Sequence, residues 1–401
     1  MLNPNSNKRE LAYVVTIDEV KPIPNYDRVE HARVNGWWII VKKDQFKVGD
    51  YAIYIEVDSK VPETEPFMFL EKKHFKVKTQ KMCKVLSQGL LMSIEDFTSL
   101  DNPPEWALSL NTRAKNGKNI EYEFLTDVMN ITYADANDNK RKASSVDKYK
   151  KMAQRNGKLF SKQPFRWLMR RNWGKKLLFI FFGKTKDRKG GWPDWVAKTD
   201  EERIQNAPWI LENKNSWIAT EKIDGTSTTF TMKKGKRGKK EFYVCSRNVV
   251  QDTPDRNCYY DTNVYWEMAK KYNIEQALSQ LIDRFGFEWV TIQGETYGAG
   301  VQKRDYGLEG HDFMAFNLIT NDKGRWGTKA MINELNHYDI PCVPIVNDSY
   351  VLPDTVDELL EYATGESLID KKMREGIVFR SEDGSMSFKA VSNQFLLKYH
   401  S

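Results

Sequence analysis

The stretch TEKIDGTSTTF, Thr220 to Phe230, sets a lysine and an aspartate on either side of an isoleucine, with a glycine directly after. Lysine is a nucleophile only as the neutral amine, so its proton must be drawn off by burial, a neighbouring cation or a metal. Lys222 stands just beyond an apolar run, SWIAT, and ahead of the turn-prone pair Asp224-Gly225. A strand ending this way would hold the amine rigidly at the edge of a cleft, aimed at an electrophile such as phosphorus.

Residues of matching chemistry follow in order. VCSRN offers Arg247 to a phosphate, with Ser246 and Asn248 as hydrogen-bonding groups. IQGETYG places Glu295 at the end of an apolar run, and FMAFNLI puts the aromatic face of Phe316 where a purine can stack. REGIVFR brings Glu375, and SFKAVS brings Lys389. One or two carboxylates with phosphate oxygens and waters are the ligands Mg²⁺ prefers. Cationic side chains neutralise the charge of a departing pyrophosphate. Each residue has an ordinary reading on its own. Phe316 fits a core, Glu295 and Glu375 fit strand-end charges, Arg247 fits a hairpin, and Lys389 and Lys398 fit a surface. Their joint order carries the argument.

The elements that must position these residues are legible from residue pattern. Up to about residue 105 the chain reads as β, with LAYVVTIDEVKPI, HARVNGWWIIVKK, DYAIYIEV and KMCKVLSQGLLMSI broken by Asn-Gly, Gly-Asp and Pro signals. Four or five strands in that length predict a small closed barrel of the OB-fold kind, a compact β-sandwich being the alternative. From residue 199 onward a mixed α/β region is expected. Its strands fall at SWIAT, TSTTFTM, EFYVCS, WVTIQGETY, HDFMAFNLI, GIVFRS and SMSFKAV, with helices at YWEMAKKYNIEQALSQLIDRFG and TVDELLEYATG.

Between them, residues 106–198 form a connecting segment of different character. Residues 140–189 hold eighteen Lys and Arg against two acids, so the excess of the chain's +7 net charge resides there. Tyr149, Phe160, Phe165, Trp167 and Trp173 are interleaved with the cations. Cations neutralise phosphates and aromatic faces stack on bases, which favours nucleic-acid contact over a solvated linker. Apolar clusters such as FRWLMRRNW and LLFIFF also argue against a mere linker.

Several classes are excluded. Four scattered cysteines form no CxxC pair and five histidines no HExxH spacing, which argues against a protein-built zinc site and for a reducing compartment. The N-terminus lacks an apolar signal core, and the longest apolar run, Leu177 to Phe182, is too short for a bilayer. A soluble, intracellular and cytoplasmic chain is expected (host cytoplasm if the source is viral), monomeric and without a membrane partner.

The set EKIDGTS, SRN, GETYG, FMAFN, EGIVFR and SFKAV resembles the covalent nucleotidyltransferase superfamily of polynucleotide ligases and capping enzymes, from about Thr199 to Tyr399. ERIQN, SRN and SFKAVSNQFLLK are most similar to ATP-dependent RNA ligases. An OB module ahead of the lysine resembles the Deinococcus-type RNA ligase group, and with eleven residues left after Ala390 no second OB domain is expected.

The resemblance implies a multidomain α+β protein, whose C-terminal adenylation domain has antiparallel sheets and helices of ATP-grasp-like form. It also implies a reaction in which Lys222 attacks the α-phosphorus of ATP, AMP passes to a 5′-phosphate, and a 3′-OH displaces it, with Mg²⁺ or Mn²⁺. The implied substrate is RNA, as a nicked duplex or RNA/DNA hybrid met in RNA repair. The nucleotide site implied by motif is Glu221, Lys222, Ile223, Asp224, Gly225, Arg247, Glu295, Phe316, Glu375, Lys389 and Lys398.

Within it Glu221 lies beside the adenine, chiefly through its backbone, and Asp224 positions the nucleophile or a metal-bound water. Arg247 holds the ribose or acceptor phosphate, Glu295 binds the ribose hydroxyls, and Phe316 stacks on the base. Glu375 assists the metal, with Glu295 and Asp224 as further metal candidates. Lys389 contacts the α-phosphate and helps lower the pKa of Lys222. The family often has a second basic residue where this chain has Val391, and Lys398 is the candidate substitute. A DNA or broad-specificity ligase, a GTP-using capping enzyme and a catalytically inactive nucleic-acid-binding protein remain open.

Overall fold

The computed structural model describes residues 1–3, 8–134, 162–182, 192–198, 201–251 and 263–399. Of the basic stretch, 140–161 and 183–189 lie outside the described residues.

The N-terminal unit is built on one strand buried on both faces. In β1 (Ala12–Thr16) the side chains alternate between two cores, as period 2 requires. Ala12 and Val14 join Ile53, Ile55 and Phe97, while Tyr13 and Val15 join Val34, Trp37 and Ile39. β2 (Glu19–Ile23), β3 (Tyr26–Val34) and β4 (Trp37–Lys42) form one antiparallel sheet; β1, β5 (Tyr51–Ile55) and a later strand, Leu90–Met92, form another. Asn35 and Gly36 both take positive φ between β3 and β4, the backbone of a two-residue hairpin turn.

The run KMCKVLSQGLLMSI, expected as one strand, divides into β7 (Gln80–Met82), β8 (Val85–Ser87) and β9 (Leu90–Met92), following the two-residue β6 (Ser59–Lys60). Cys83 and Lys84 turn β7 into β8 with positive φ. The expected boundary at residue 105 falls inside this unit. After α1 (Glu95–Thr98), α2 (Glu105–Lys115) and the segment behind it contribute Ala107, Leu110, Ile120, Leu125, Met129 and Ile131 to the same core as Ile53. Leu125 donates its N–H to the Ala12 carbonyl at 2.8 Å, and β10 (Thr132–Tyr133) pairs with β6. The unit therefore extends to about residue 133.

Two helices of the basic stretch follow, α3 (Gln163–Met169) and α4 (Asn172–Phe182). The C-terminal region then folds as two antiparallel sheets. The first holds β11 (Ser216–Lys222), with β17 (Ile345–Val351), β18 (Gly376–Ser381) and β19 (Ser387–Val391), in the order β17-β11-β18-β19. The second holds β12 (Thr226–Lys234), β13 (Lys240–Ser246), β14 (Trp289–Gly298), β15 (His311–Thr320) and β16 (Gly324–Arg325), in the order β13-β12-β14-β15-β16.

The predicted long helix is two, α5 (Val264–Lys271) and α6 (Ile274–Phe285), divided where Asn273 takes φ 47°. In α6, Ile274, Ala277, Leu278, Leu281 and Ile282 recur at helical spacing and meet Phe230, Ile292 and Phe313 of the second sheet. After α7 (Thr328–Asn336), α8 (Val356–Ala363) begins with a reciprocal Thr355–Glu358 capping box. Its Leu359 and Ala363 pack with Trp217, Phe379 and Phe388 of the first sheet. α9 (Asn393–Tyr399) ends the described chain.

N- and C-terminal units are held together by charge at the seam. Arg9 reaches Glu56 and Glu202 at 3.1 Å each, and the Glu202 carbonyl accepts the Lys389 N–H at 2.7 Å. Lys81 Nζ donates to the Leu397 carbonyl at 3.0 Å, and Leu86 packs with Val391 and Leu396.

Candidate active site

The site forms where the chain leaves one sheet for the other. Lys222 is the last residue of β11, and the antiparallel register sets it opposite Gly376 of β18. Glu375 directly precedes that strand, so the amine and carboxylate meet, with Lys222 Nζ 2.7 Å from Glu375 Oε2. Ile223 to Gly225 then carry the backbone across to β12, which pairs with β14 so that Ser227 opposes Glu295. Gly225 was expected as a turn residue, yet its φ is not positive; close approach is what requires it. A Cβ there would lie 2.3 Å from the Thr296 carbonyl oxygen and 2.9 Å from Glu295 Cγ. The missing side chain lets the lysine strand pass over the Glu295 strand, which joins residues of two sheets in one site.

Electrostatically the site is a lysine surrounded by carboxylates. Burial pulls the Lys222 pKa down, but Glu375, Glu295 and Asp224 outweigh it, and the amine ends above its ordinary value. The expected lowering by Lys389 is therefore not what the free protein has; the carboxylates hold the amine protonated. Burial pushes Glu295 up to about 8, with Glu375 and Asp224 adding to the rise and Lys222 and Arg247 opposing it. No three acidic, His or Cys side chains form a ready-made metal cage among the described residues, so Glu295, Glu375 and Asp224 do not converge as a trio. Two carboxylates whose mutual repulsion raises one pKa nevertheless fit a hard divalent cation that keeps several waters.

The Glu295 shift fixes the sign of a stability effect. A carboxyl with a raised folded-state pKa contributes stability fully present below its unfolded pKa and lost as pH rises through about 8. Glu295→Gln should therefore raise the apo Tm at pH 8.5 and leave it nearly unchanged at pH 4.5. Differential scanning calorimetry at the two pH values should read a gain of a few degrees, at about 2–4 °C per kcal/mol for a domain of this size. An equal gain at both values would refute the assignment.

Behind the lysine, Ile223 is buried with Tyr297, Tyr306 and Val343, and the Tyr306 hydroxyl accepts the Asp224 N–H at 2.8 Å. Phe316 is partly buried against this cluster. It is the extra residue of a β-bulge, since Asn317 pairs with Gln293 and Ala315 with Gly294. A bulge re-aims one side chain out of a regular ladder, and here it turns the ring toward Arg380, whose guanidinium lies 5.9 Å from the ring centre.

Glu221 is spent on the scaffold. Its N–H donates to Pro344 and its carboxylate accepts the Leu368 N–H at 2.8 Å, so its N–H is not free for a base. Burial raises its pKa, against hydrogen bonds from Ser367 and Leu368.

Arg247 and Lys389 line a polar cleft of about 200 Å³ at the domain seam, together with Arg9, Arg203, Trp37 and Glu56. Asp58, Glu201 and Glu202 also line it, so four cations face four carboxylates around one opening. Lys398 does not join them. It is exposed on α9, 5.0 Å from the centre of the Tyr399 ring, and Val391 is buried with Leu86 and Leu396.

Two arginines gain a place that residue types alone did not assign. Arg203, in the ERIQN motif, bridges Lys389 in parallel and sits 5.4 Å over the Trp37 ring. Arg380 is buried in β18, hydrogen-bonded to Thr220 at 3.2 Å, and its pKa is pulled down to about 10 by that burial. The available signal was an arginine inside an otherwise apolar strand, GIVFRS.

Comparison with known proteins matches this description. Residues 215–400 fit the family model described as RNA ligase, and residues 11–94 fit an OB-fold domain model. No curated protein matches the chain. Three solved structures of Naegleria gruberi RNA ligase are similar over nearly their full length. A lysine-to-alanine mutant with ATP and Mn is 25% identical, over 98% of this chain and 99% of that one, with a TM-score of 0.65. The enzyme with PPi is 26% identical over the same shares, with a TM-score of 0.64. A lysine-to-methionine mutant with AMP and Mn is 25% identical, again over 98% and 99%, at 0.64. Fold and site together define a multidomain α+β enzyme, an OB-fold domain joined to a ligase domain of antiparallel sheets and helices. Residues 215–400 are the ligase domain of that enzyme, of the RNA ligase family.

Proposed function

We propose that the chain joins a 3′-OH and a 5′-phosphate of RNA at the expense of ATP, through AMP carried on Lys222. The observation that carries this reading is the lysine itself, held at a strand end 2.7 Å from Glu375 and within the field of Glu295, in a protein whose adjoining polar cleft is lined by Arg247 and Lys389. In the first step the Lys222 amine attacks the α-phosphorus; an N–P bond forms, the bond to pyrophosphate breaks, and the amine gives up a proton. Glu375, already accepting from Nζ, is the nearest base for it. In the second step an oxygen of the RNA 5′-phosphate attacks the same phosphorus and the N–P bond breaks, returning Lys222. In the third, the 3′-OH attacks the 5′-phosphate and AMP leaves.

The chain's own groups fill the other roles. Phe316 offers its face to the adenine, Glu295 its carboxylate to the ribose hydroxyls, and Arg247 and Lys389 their charges to the phosphates. Ile223 and Gly225 shape the turn beneath the nucleotide, and Asp224 orients the lysine. Glu295 and Glu375 would hold Mg²⁺ or Mn²⁺, which supplies charge neutralisation at the phosphates when bound. The ends of a nicked duplex suit an enzyme with a nucleic-acid-binding barrel beside its active cleft.

The test is sealing of a nicked duplex carrying either a 3′-RNA or a 3′-DNA end, with ATP or GTP. We expect a joined product from ATP and the RNA end, with the DNA end at least about tenfold slower. Equal rates would favour a broad polynucleotide ligase, GTP dependence a capping-type enzyme, and no AMP or GMP transfer a binding protein.

A further inference from the structure

The helical pair α3–α4 takes no part in the chemistry above, yet its surface is built for a partner. Trp167 is 48% exposed and Trp173 54%, and neighbouring indoles are seldom left half in water without a use. They are held in a fixed relation. The rings meet edge to face at 6.0 Å, and the Arg171 guanidinium lies 4.0 Å from the centre of the Trp167 ring. Gly174 lets α4 start close over α3, since a Cβ there would stand 2.3 Å from the Leu168 carbonyl oxygen. Leu178 is buried, whereas Lys162, Arg166, Arg170 and Lys176 are exposed. Residues 162–182 contain six Lys and Arg and no acid.

The chemistry of this surface selects its ligand. Cations alone would suit any phosphate backbone, but half-exposed indoles need a flat apolar face to cover them. In A-form duplex the base faces are stacked inside and out of reach. Single-stranded RNA offers both, with phosphates along the chain and a π-face on every base. A basic, tryptophan-bearing helix can also lie on an anionic membrane, but there charge and apolar faces separate. Here a guanidinium is seated on an indole, and the same two helices carry further exposed cations. We propose that α3–α4 is a platform for single-stranded RNA. Bases stack on Trp173 and on the Trp167–Arg171 pair, and phosphates meet the surrounding cations. This rests on the reading that the substrate is RNA, and it extends that reading to RNA with an unpaired segment.

The experiment uses the full chain without ATP, and fluorescence anisotropy with a labelled single-stranded oligoribonucleotide and with a blunt RNA duplex. Trp167→Ala/Trp173→Ala should weaken single-strand binding about tenfold or more, with duplex binding changed less than about twofold. Phe at both positions should restore most of the affinity. Arg170→Gln/Arg171→Gln/Lys176→Gln should reduce the salt dependence of single-strand binding. Unchanged single-strand affinity in the Ala variant, with wild-type circular dichroism, would overturn the proposal. So would vesicle co-sedimentation, on phosphatidylserine-containing liposomes, that the Ala variant loses while keeping RNA affinity. Labelling of Lys222 by ATP, run on the same proteins, separates the two readings. A wild type that takes no label sinks the ligase chemistry, whereas the anisotropy result judges the platform.

Discussion

Lys222→Ala should take no label from α-labelled ATP, a loss of at least about three orders of magnitude in lysyl-AMP formation. The size follows from the chemistry, since no neighbouring group replaces a nucleophile that forms the covalent bond. Lys389 lies on β19, separated from the Lys222 strand by β18, with its backbone tied to Glu202, and lines the adjoining cleft. Denaturing electrophoresis after incubation with ATP and Mg²⁺ or Mn²⁺ reads the result directly, with α-labelled GTP as control. Wild-type protein should carry the label and the variant none, at unchanged circular dichroism. A labelled Lys222→Ala band would remove this lysine from the mechanism. Arg at position 222 should not rescue, because its guanidinium stays protonated.

Glu375→Gln should lower the rate of the same step by about a hundredfold and displace its pH profile. In the free protein, burial favours the neutral Lys222 amine, and the carboxylates of Glu375 and Glu295 reverse that preference. Removing the partner at 2.7 Å leaves burial less opposed, so the lysine pKa falls. The rising limb of kcat/KM against pH, which reports the free enzyme, should then move to lower pH. The rate at the plateau should drop because the group nearest the leaving proton is gone. A limb that stays in place or moves to higher pH would show that Glu375 does not set the charge of Lys222. The two effects are separable because one moves the midpoint and the other the ceiling.

Raised pKa values on both Lys222 and Glu295 describe a site poised for cationic ligands and phosphates, not one already tuned for attack. Nucleotide binding must change the field before the amine can lose its proton. The OB domain bears on that cleft through Arg9, which ties Glu56 to the Glu202 segment and thereby to Lys389.

Much of this was legible in the chain itself. Local pattern gave the strands that end in Lys222 and Ser246 and the one that carries Glu295, because alternation and β-branched content are properties of a few consecutive residues. The helix at TVDELLEYATG and the Asn35-Gly36 turn signal were readable for the same reason. Residue order also suggested which side chains to seek together, and the structure brings Lys222, Glu375 and Glu295 to one place.

Everything that depends on two distant segments was decided by the tertiary structure. The domain edge moved from residue 105 to about 133 because Leu125 and Ile131 fill a core whose other wall is β1. The bulge that turns Phe316 depends on its register with β14, and Gly225 is required by a carbonyl seventy-one residues away. The protonation of Lys222 reversed the expectation because charge acts through space. Glu295 and Glu375, distant in sequence, come within reach of Lys222 only when two sheets cross, and with the adjacent Asp224 their field outweighs the burial that sequence alone suggests.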